Sequence, residues 1–138
     1  MTGAVTARAA DVVIYVDHSD ILPDRLDELK EGIRRVVAVI EEREPQLIAY
    51  GFHLDEERGR MTVTAVHPDS ASLELHLGVG REEFRKLGGM ITLRRIEVYG
   101  SIDERVRDLL EQKVEMLGVG EVVVTPRLAG FARTTAAR

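Results

Sequence analysis

Residues Asp11–Asp17 read DVVIYVD, and the fold turns on how this run is covered. Its β-branched residues predict a strand. Val12, Ile14 and Val16 fall on one face, and Val13 and Tyr15 on the other. Both faces are apolar, so the strand is expected in the middle of a sheet, covered on both sides. One layer of helices covers only one face. The second cover has to come from elsewhere.

Downstream, PDRLDELKEGIRRVVAVIEERE repeats Leu26, Leu29, Ile33, Val36, Val37 and Ile40 at helical spacing. Pro23 suits a first turn, Asp24, Asp27 and Glu28 suit the positive end of the dipole, and Pro45 stops the helix. QLIAYGFHLDEERGRMTVTAVH, residues 46–67, predicts a hairpin turning at EERG. Pairing Asp55 with Arg60 sets Leu54 opposite Met61, Phe52 opposite Val63, Tyr50 opposite Ala65 and Ile48 opposite His67. Those eight residues make one largely apolar face, and a one-residue slip would mix it with threonines.

HPDSASLELHL then predicts a helix capped by Asp69 and Ser70, and GVGREEFRKLGGM a short helix closed by Gly88 and Gly89. ITLRRIEVYG is a strand with Ile96 and Val98 on one face and Tyr99 on the other. SIDERVRDLLEQKVEMLG is an amphipathic helix whose capping box pairs Ser101 with Glu104, and GEVVVTP supplies a last strand. LGVG occurs at Leu77–Gly80 and Leu117–Gly120, but neither copy follows a strand as a phosphate loop requires; both read as helix ends. The first six elements match the ferredoxin-like β-α-β-β-α-β pattern, in which the first and third strands are central. The expectation is therefore an α+β domain over residues 11–126 with an added C-terminal helix and strand, a flexible start at 1–10 and a tail at 127–138.

The 138 residues fit one domain. The net charge is −5 with basic residues spread along the chain, which argues against nucleic acid as a partner. The absence of cysteine excludes disulfides, thiolate zinc and a cysteine nucleophile, and fits a reducing cytoplasm. No apolar run approaches a membrane span or a signal peptide, so no membrane partner is expected. Neither HExxH nor a P-loop is present, and no Ser-His-Asp set is evident.

With the first strand through Asp17, the EEREPQLIAY junction, HPDSASLELHL and the final VYG in view, the chain resembles the antibiotic biosynthesis monooxygenase family. The resemblance covers roughly Asp11 to Gly100. It implies a ferredoxin-like subunit forming a dimeric α/β barrel, with two sheets face to face. That homodimer would cover the second face of the first strand, the one carrying Val13 and Tyr15. It also implies a ligand cavity between sheet and helices, and oxidation of a phenol or quinol with molecular oxygen, often with no metal or flavin cofactor. Members that degrade haem use a Trp with a His ligand, and this chain has no Trp. The competing expectation is a non-catalytic dimeric protein that binds a small apolar ligand.

The four histidines are candidates for chemistry. His18 reads as a loop residue after the first strand. His53 and His67 fall on opposite hairpin faces, so they cannot share a metal ion within a subunit, and no metal site is expected. His67 closes the apolar hairpin face beside Tyr50 and is expected at a pocket rim. His76 lies at the edge of the Leu73–Leu77–Phe84 stripe and is expected as the catalytic base, because an imidazole titrating near about pH 6.5 can take a phenolic proton. Tyr50 is expected to hydrogen-bond the substrate oxygen, with Phe52 and Phe84 against its ring.

Overall fold

In the computed structural model, which describes residues 5–6, 11–133 and 135–136, the elements run β1 (Val5–Thr6), β2 (Val13–Ile21), α1 (Leu26–Arg43), β3 (Ala49–Asp55), β4 (Arg60–His67), α2 (Ser70–Val79), α3 (Arg81–Leu87), β5 (Ile91–Tyr99), α4 (Glu104–Leu117), β6 (Gly118–Thr125) and β7 (Thr135–Ala136). The apolar run around Val13 is central: β2 lies between β4 and β5 in a sheet ordered β3-β4-β2-β5-β6. The first four of those strands take the ferredoxin-like order, antiparallel throughout, and β6 adds in parallel to β5. β1 pairs with β7 in a separate two-stranded sheet. Most of the start expected to be flexible, and the last residues of the tail, lie outside the described residues.

The hairpin adopts the register expected of it, with Asp55 opposite Arg60, Leu54 opposite Met61, Phe52 opposite Val63 and Tyr50 opposite Ala65. Ile48 lies before β3 and is not paired with His67; instead its N–H donates to the Val66 carbonyl at 3.0 Å.

The faces of β2 are reversed from the expectation. Val13 and Tyr15 are 0% and 1% exposed beneath the helices, whereas Ile14 is 36% exposed on the open side. The cross-strand neighbours explain the assignment. Tyr15 pairs with Ala65 and Val98, both in the core, while Ile14 pairs with Val66 and Tyr99. The strand also continues to Ile21, so His18 is a mid-strand residue on the open face, not a loop residue. Its Nε2 lies 3.2 Å from Glu97 and its Nδ1 3.3 Å from Thr62 Oγ1. Asp17 and Ser19 follow Tyr15 on the helix side and are buried there.

Helix entries differ in detail from the sequence signals. α1 starts at Leu26, with Pro23 in the entry turn and Asp24 at φ 62°. α2 is capped by Asp69, whose Oδ1 accepts the Ser72 N–H at 2.8 Å. α4 is capped by Asp103, accepting the Val106 N–H at 2.9 Å, and not by Ser101. The chain turns helical only at Glu104, so the carboxylate next to it occupies the capping position.

Three glycines, at two places in the fold, are dictated by close approach. The Phe84 ring folds back onto Gly80 between α2 and α3, where a Cβ would sit 2.3 Å from the ring. Gly118 and Gly120 lie against the β5 backbone, where a Cβ would come within 2.1 Å of the Leu93 carbonyl oxygen and 2.2 Å of the Arg94 one. The second LGVG is thus both a helix end and a tight strand contact.

Candidate functional site

Beneath the β4 end of the sheet lies a compact aromatic and polar cluster. His76 projects from α2 and is 1% exposed. Its ring meets Tyr50 at 5.1 Å, His67 at 5.3 Å and Phe84 at 5.2 Å between centroids. Its Nδ1 lies 3.0 Å from both carboxylate oxygens of Glu44. His67 Nδ1 lies 2.7 Å from Ser72 Oγ, which also accepts from Gln46 Nε2 at 3.1 Å.

Burial sets the charge state of this cluster. It pushes the Glu44 carboxyl up to about 7, against the smaller opposing pulls of Gln46 and Arg43. It lowers His76 to about 3, helped by the Lys113 charge and opposed by Asp17. It lowers His67 to about 3 as well, reinforced by His76 and Lys113. Both imidazoles are therefore neutral near pH 7, and Glu44 is the group that titrates there.

Two cavities meet at Tyr50. An outer cleft of about 320 Å³ lies between the end of α1 and β3, with Glu44 and Tyr50 in its wall among Ile40, Pro45 and Leu47. An inner cavity of about 20 Å³, room for one water, lies between the sheet and the helices. Tyr50, Phe52 and Phe84 line it, together with Asp17, Ser19 and Lys113. The structure thus gathers three of the expected substrate-binding residues, Tyr50, Phe52 and Phe84, around one small space. His67 and His76 line neither of these cavities. They stand behind the wall, His76 against Glu44 and His67 against Ser72 of α2.

Sequence reasoning missed Glu44, Asp17, Ser19 and Lys113. Glu44 carried a signal. An acidic residue at a helix C-terminus opposes the dipole, so the EEREP junction called for a local reason. Lys113 carried almost none, since it sits among charged residues in EQKVEM. Among the described residues, no group of three or more His, Asp or Glu side chains is placed to hold a metal ion.

The strand order and the helices packed on the sheet define a ferredoxin-like α+β protein. Comparison with solved structures finds the same fold in other proteins. MupZ from Pseudomonas fluorescens superposes with a TM-score of 0.70 at 18% identity, over 89% of this chain and 95% of that one. A structure described as an antibiotic biosynthesis monooxygenase matches at 0.56 and 17%, over 66% of this chain and 99% of that one. SnoaB from Streptomyces nogalater, described as a cofactor-independent oxygenase, matches at 0.55 and 16%, over 68% and 96%. The chain therefore has the fold of the antibiotic biosynthesis monooxygenase structures. No family model and no curated protein sequence matches it. No helix among the described residues is long and apolar enough to cross a membrane.

Proposed function

We propose that this chain is a small cytoplasmic oxygenase that oxidises a phenol or quinol with molecular oxygen at the Tyr50 wall, without a metal or flavin. The observation that carries the reading is the Glu44–His76 pair. Glu44 is a wall residue of a cleft of about 320 Å³, and its buried carboxyl, held up at about 7, is backed by an imidazole 3.0 Å away. That volume suits a small aromatic molecule. A base titrating near the working pH is the efficient choice for removing a phenolic proton.

In this reading Glu44 takes the proton, and His76 holds the carboxyl in place rather than meeting substrate itself. Tyr50 stays protonated, because burial raises it well above its ordinary value, with Asp17 and Glu44 adding to the effect. It can therefore donate to the substrate oxygen. The electron-rich phenolate then reduces oxygen, placing one oxygen atom on the ring as a carbonyl and releasing the other as water. Phe52 and Phe84 line the inner cavity behind Tyr50 and back that wall, and His67 packs against His76 from behind.

The open sheet face supports a homodimer. Ile14, Val66 and Tyr99 lie side by side on it, and a second copy laid sheet to sheet would cover them.

The test is oxygen uptake by chelator-treated protein with a panel of phenols, naphthols and quinols. One substrate is expected to consume equimolar oxygen, and Glu44→Gln is expected to slow it by about 10²–10⁴-fold. Binding of panel members without any uptake would overturn the oxygenase reading. That result would favour a non-catalytic ligand-binding protein, which the small size of the inner cavity already makes the second reading.

A further inference from the structure

Tyr15, Asp17 and Ser19 take alternate positions on the helix side of β2, and all three are buried there. A central strand thus carries a carboxylate and a hydroxyl where its alternation calls for apolar side chains. Buried polar groups of this kind are expected to find hydrogen-bond partners. Asp17 divides its carboxylate. Its Oδ2 accepts the Tyr15 hydroxyl proton at 2.5 Å and lies 3.5 Å from the Lys113 amine, which also donates to the Tyr15 hydroxyl oxygen at 2.9 Å. Its Oδ1 is buried without a partner among the described residues, and so is the Ser19 hydroxyl.

The Lys113 ammonium has three protons, and its contacts with Tyr15 and Asp17 use two of them. Three hydrogen-bonding needs are therefore left over: Asp17 Oδ1, Ser19 Oγ and the third ammonium proton. All three residues line the inner cavity, whose volume of about 20 Å³ is room for one water. The rest of its lining is apolar apart from Tyr50. A water carries two protons and two lone pairs, so a single molecule can meet all three needs.

We propose that the inner cavity is a water-binding site, in which one ordered water donates to Asp17 Oδ1, shares a hydrogen bond with Ser19 Oγ and accepts the third Lys113 proton. The site belongs to the ion pair and stands whether or not the oxygen reaction proposed above takes place. Its consequence is for specificity. An aromatic ring does not fit beside the water in about 20 Å³, and expelling the water would strand a buried carboxylate oxygen. Aromatic ligands are therefore held in the outer cleft, on the other side of the Tyr50 wall. The space between sheet and helices, expected to receive a ligand, serves the Asp17–Lys113 pair instead.

The experiment is a crystal structure of the full chain that resolves ordered water, repeated on crystals pressurised with xenon and on crystals soaked in 4-ethylphenol. Xenon enters dry apolar cavities, so it separates a water site from a packing void. The expected result is one water within hydrogen-bond distance of Asp17 Oδ1 and Ser19 Oγ, undisturbed by either treatment, with bound phenol confined to the outer cleft. Xenon or a phenol ring in the inner cavity would overturn the proposal, as would an Asp17 Oδ1 bonded to a protein group instead of water. In solution, Ser19→Val removes the hydroxyl and pushes a methyl group into the cavity. Oxygen-17 relaxation dispersion should then count one long-lived water fewer than in the natural chain. An equal count in a folded Ser19→Val protein would also overturn the site.

Discussion

Two polar clusters are buried beneath the same sheet, and they handle burial in opposite ways. Under β4, His67 and His76 give up their charge, and each nitrogen that bonds faces a carboxyl or a hydroxyl. Under β2, Lys113 and Asp17 pair as cation and anion, with a tyrosine hydroxyl bridging them. Neutralising a group avoids the desolvation cost, whereas pairing two ions retains part of it and adds mutual dependence. A cluster of the first kind tolerates a small change. In the second kind, loss of one partner strands the other.

That contrast predicts its own largest effect. Asp17→Leu alone leaves the Lys113 amine unbalanced and is expected to cost about 3–5 kcal/mol in urea unfolding. Asp17→Leu combined with Lys113→Met removes both charges and is expected to recover most of that loss. If the double variant is as unstable as the sum of the singles, the two groups are not coupled and the contrast between the clusters fails.

The β4 cluster predicts a pH dependence instead of a large mutational cost. Each histidine is lowered from 6.5 to about 3 on folding, so its stability contribution is present above about pH 6.5 and is lost as pH falls toward 3. Glu44 is raised from 4.5 to about 7, so its contribution is present below about pH 4.5 and lost as pH rises through 7. Between these limits the unfolded chain binds two more protons at the histidines and one fewer at the carboxyl. The net is one proton, or ~1.4 kcal/mol of added stability per pH unit from about 4.5 to 6.5. Glu44→Gln removes the opposing group and should steepen the slope to ~2.7 kcal/mol per unit. A slope that Glu44→Gln leaves unchanged would show that Glu44 does not titrate as its burial implies.

The two clusters also differ in how far the sequence announced them. The hairpin register, the central place of β2 and the α2 cap all follow from local rules: alternation, spacing and an aspartate ahead of a helical run. Tyr50 and Phe52 are legible as part of one apolar hairpin face for the same reason, and Phe84 as part of the Leu73–Leu77 helical stripe. Which face of β2 meets the helices was not, because apolar residues on both sides leave periodicity with no preference. The choice is made by Ala65, Val98 and the helices above them. The Asp17–Lys113 pair spans 96 residues, and no local pattern links a strand aspartate to a lysine on the final helix. Glu44 lay between these extremes, visible as an acid at the wrong end of a dipole but not as the partner of His76.

The smallest effect on folding should come from the other side of the same strand. Ile14 is the neighbour of Tyr15 in sequence but faces outward, so Ile14→Lys removes no packing beneath the helices. Its cost in a dilute, monomeric sample should stay within ~0.5 kcal/mol, as for an ordinary surface change. The same substitution puts a charge in the middle of the Ile14–Val66–Tyr99 patch, where a second sheet would have to desolvate it. Light scattering should therefore report a dimer for the natural chain at micromolar concentration and a monomer for Ile14→Lys. A natural chain that is already monomeric there would leave the patch bare and remove the sheet-to-sheet dimer. A large loss of stability in the dilute variant would mean instead that the two faces of β2 are less independent than their burial indicates.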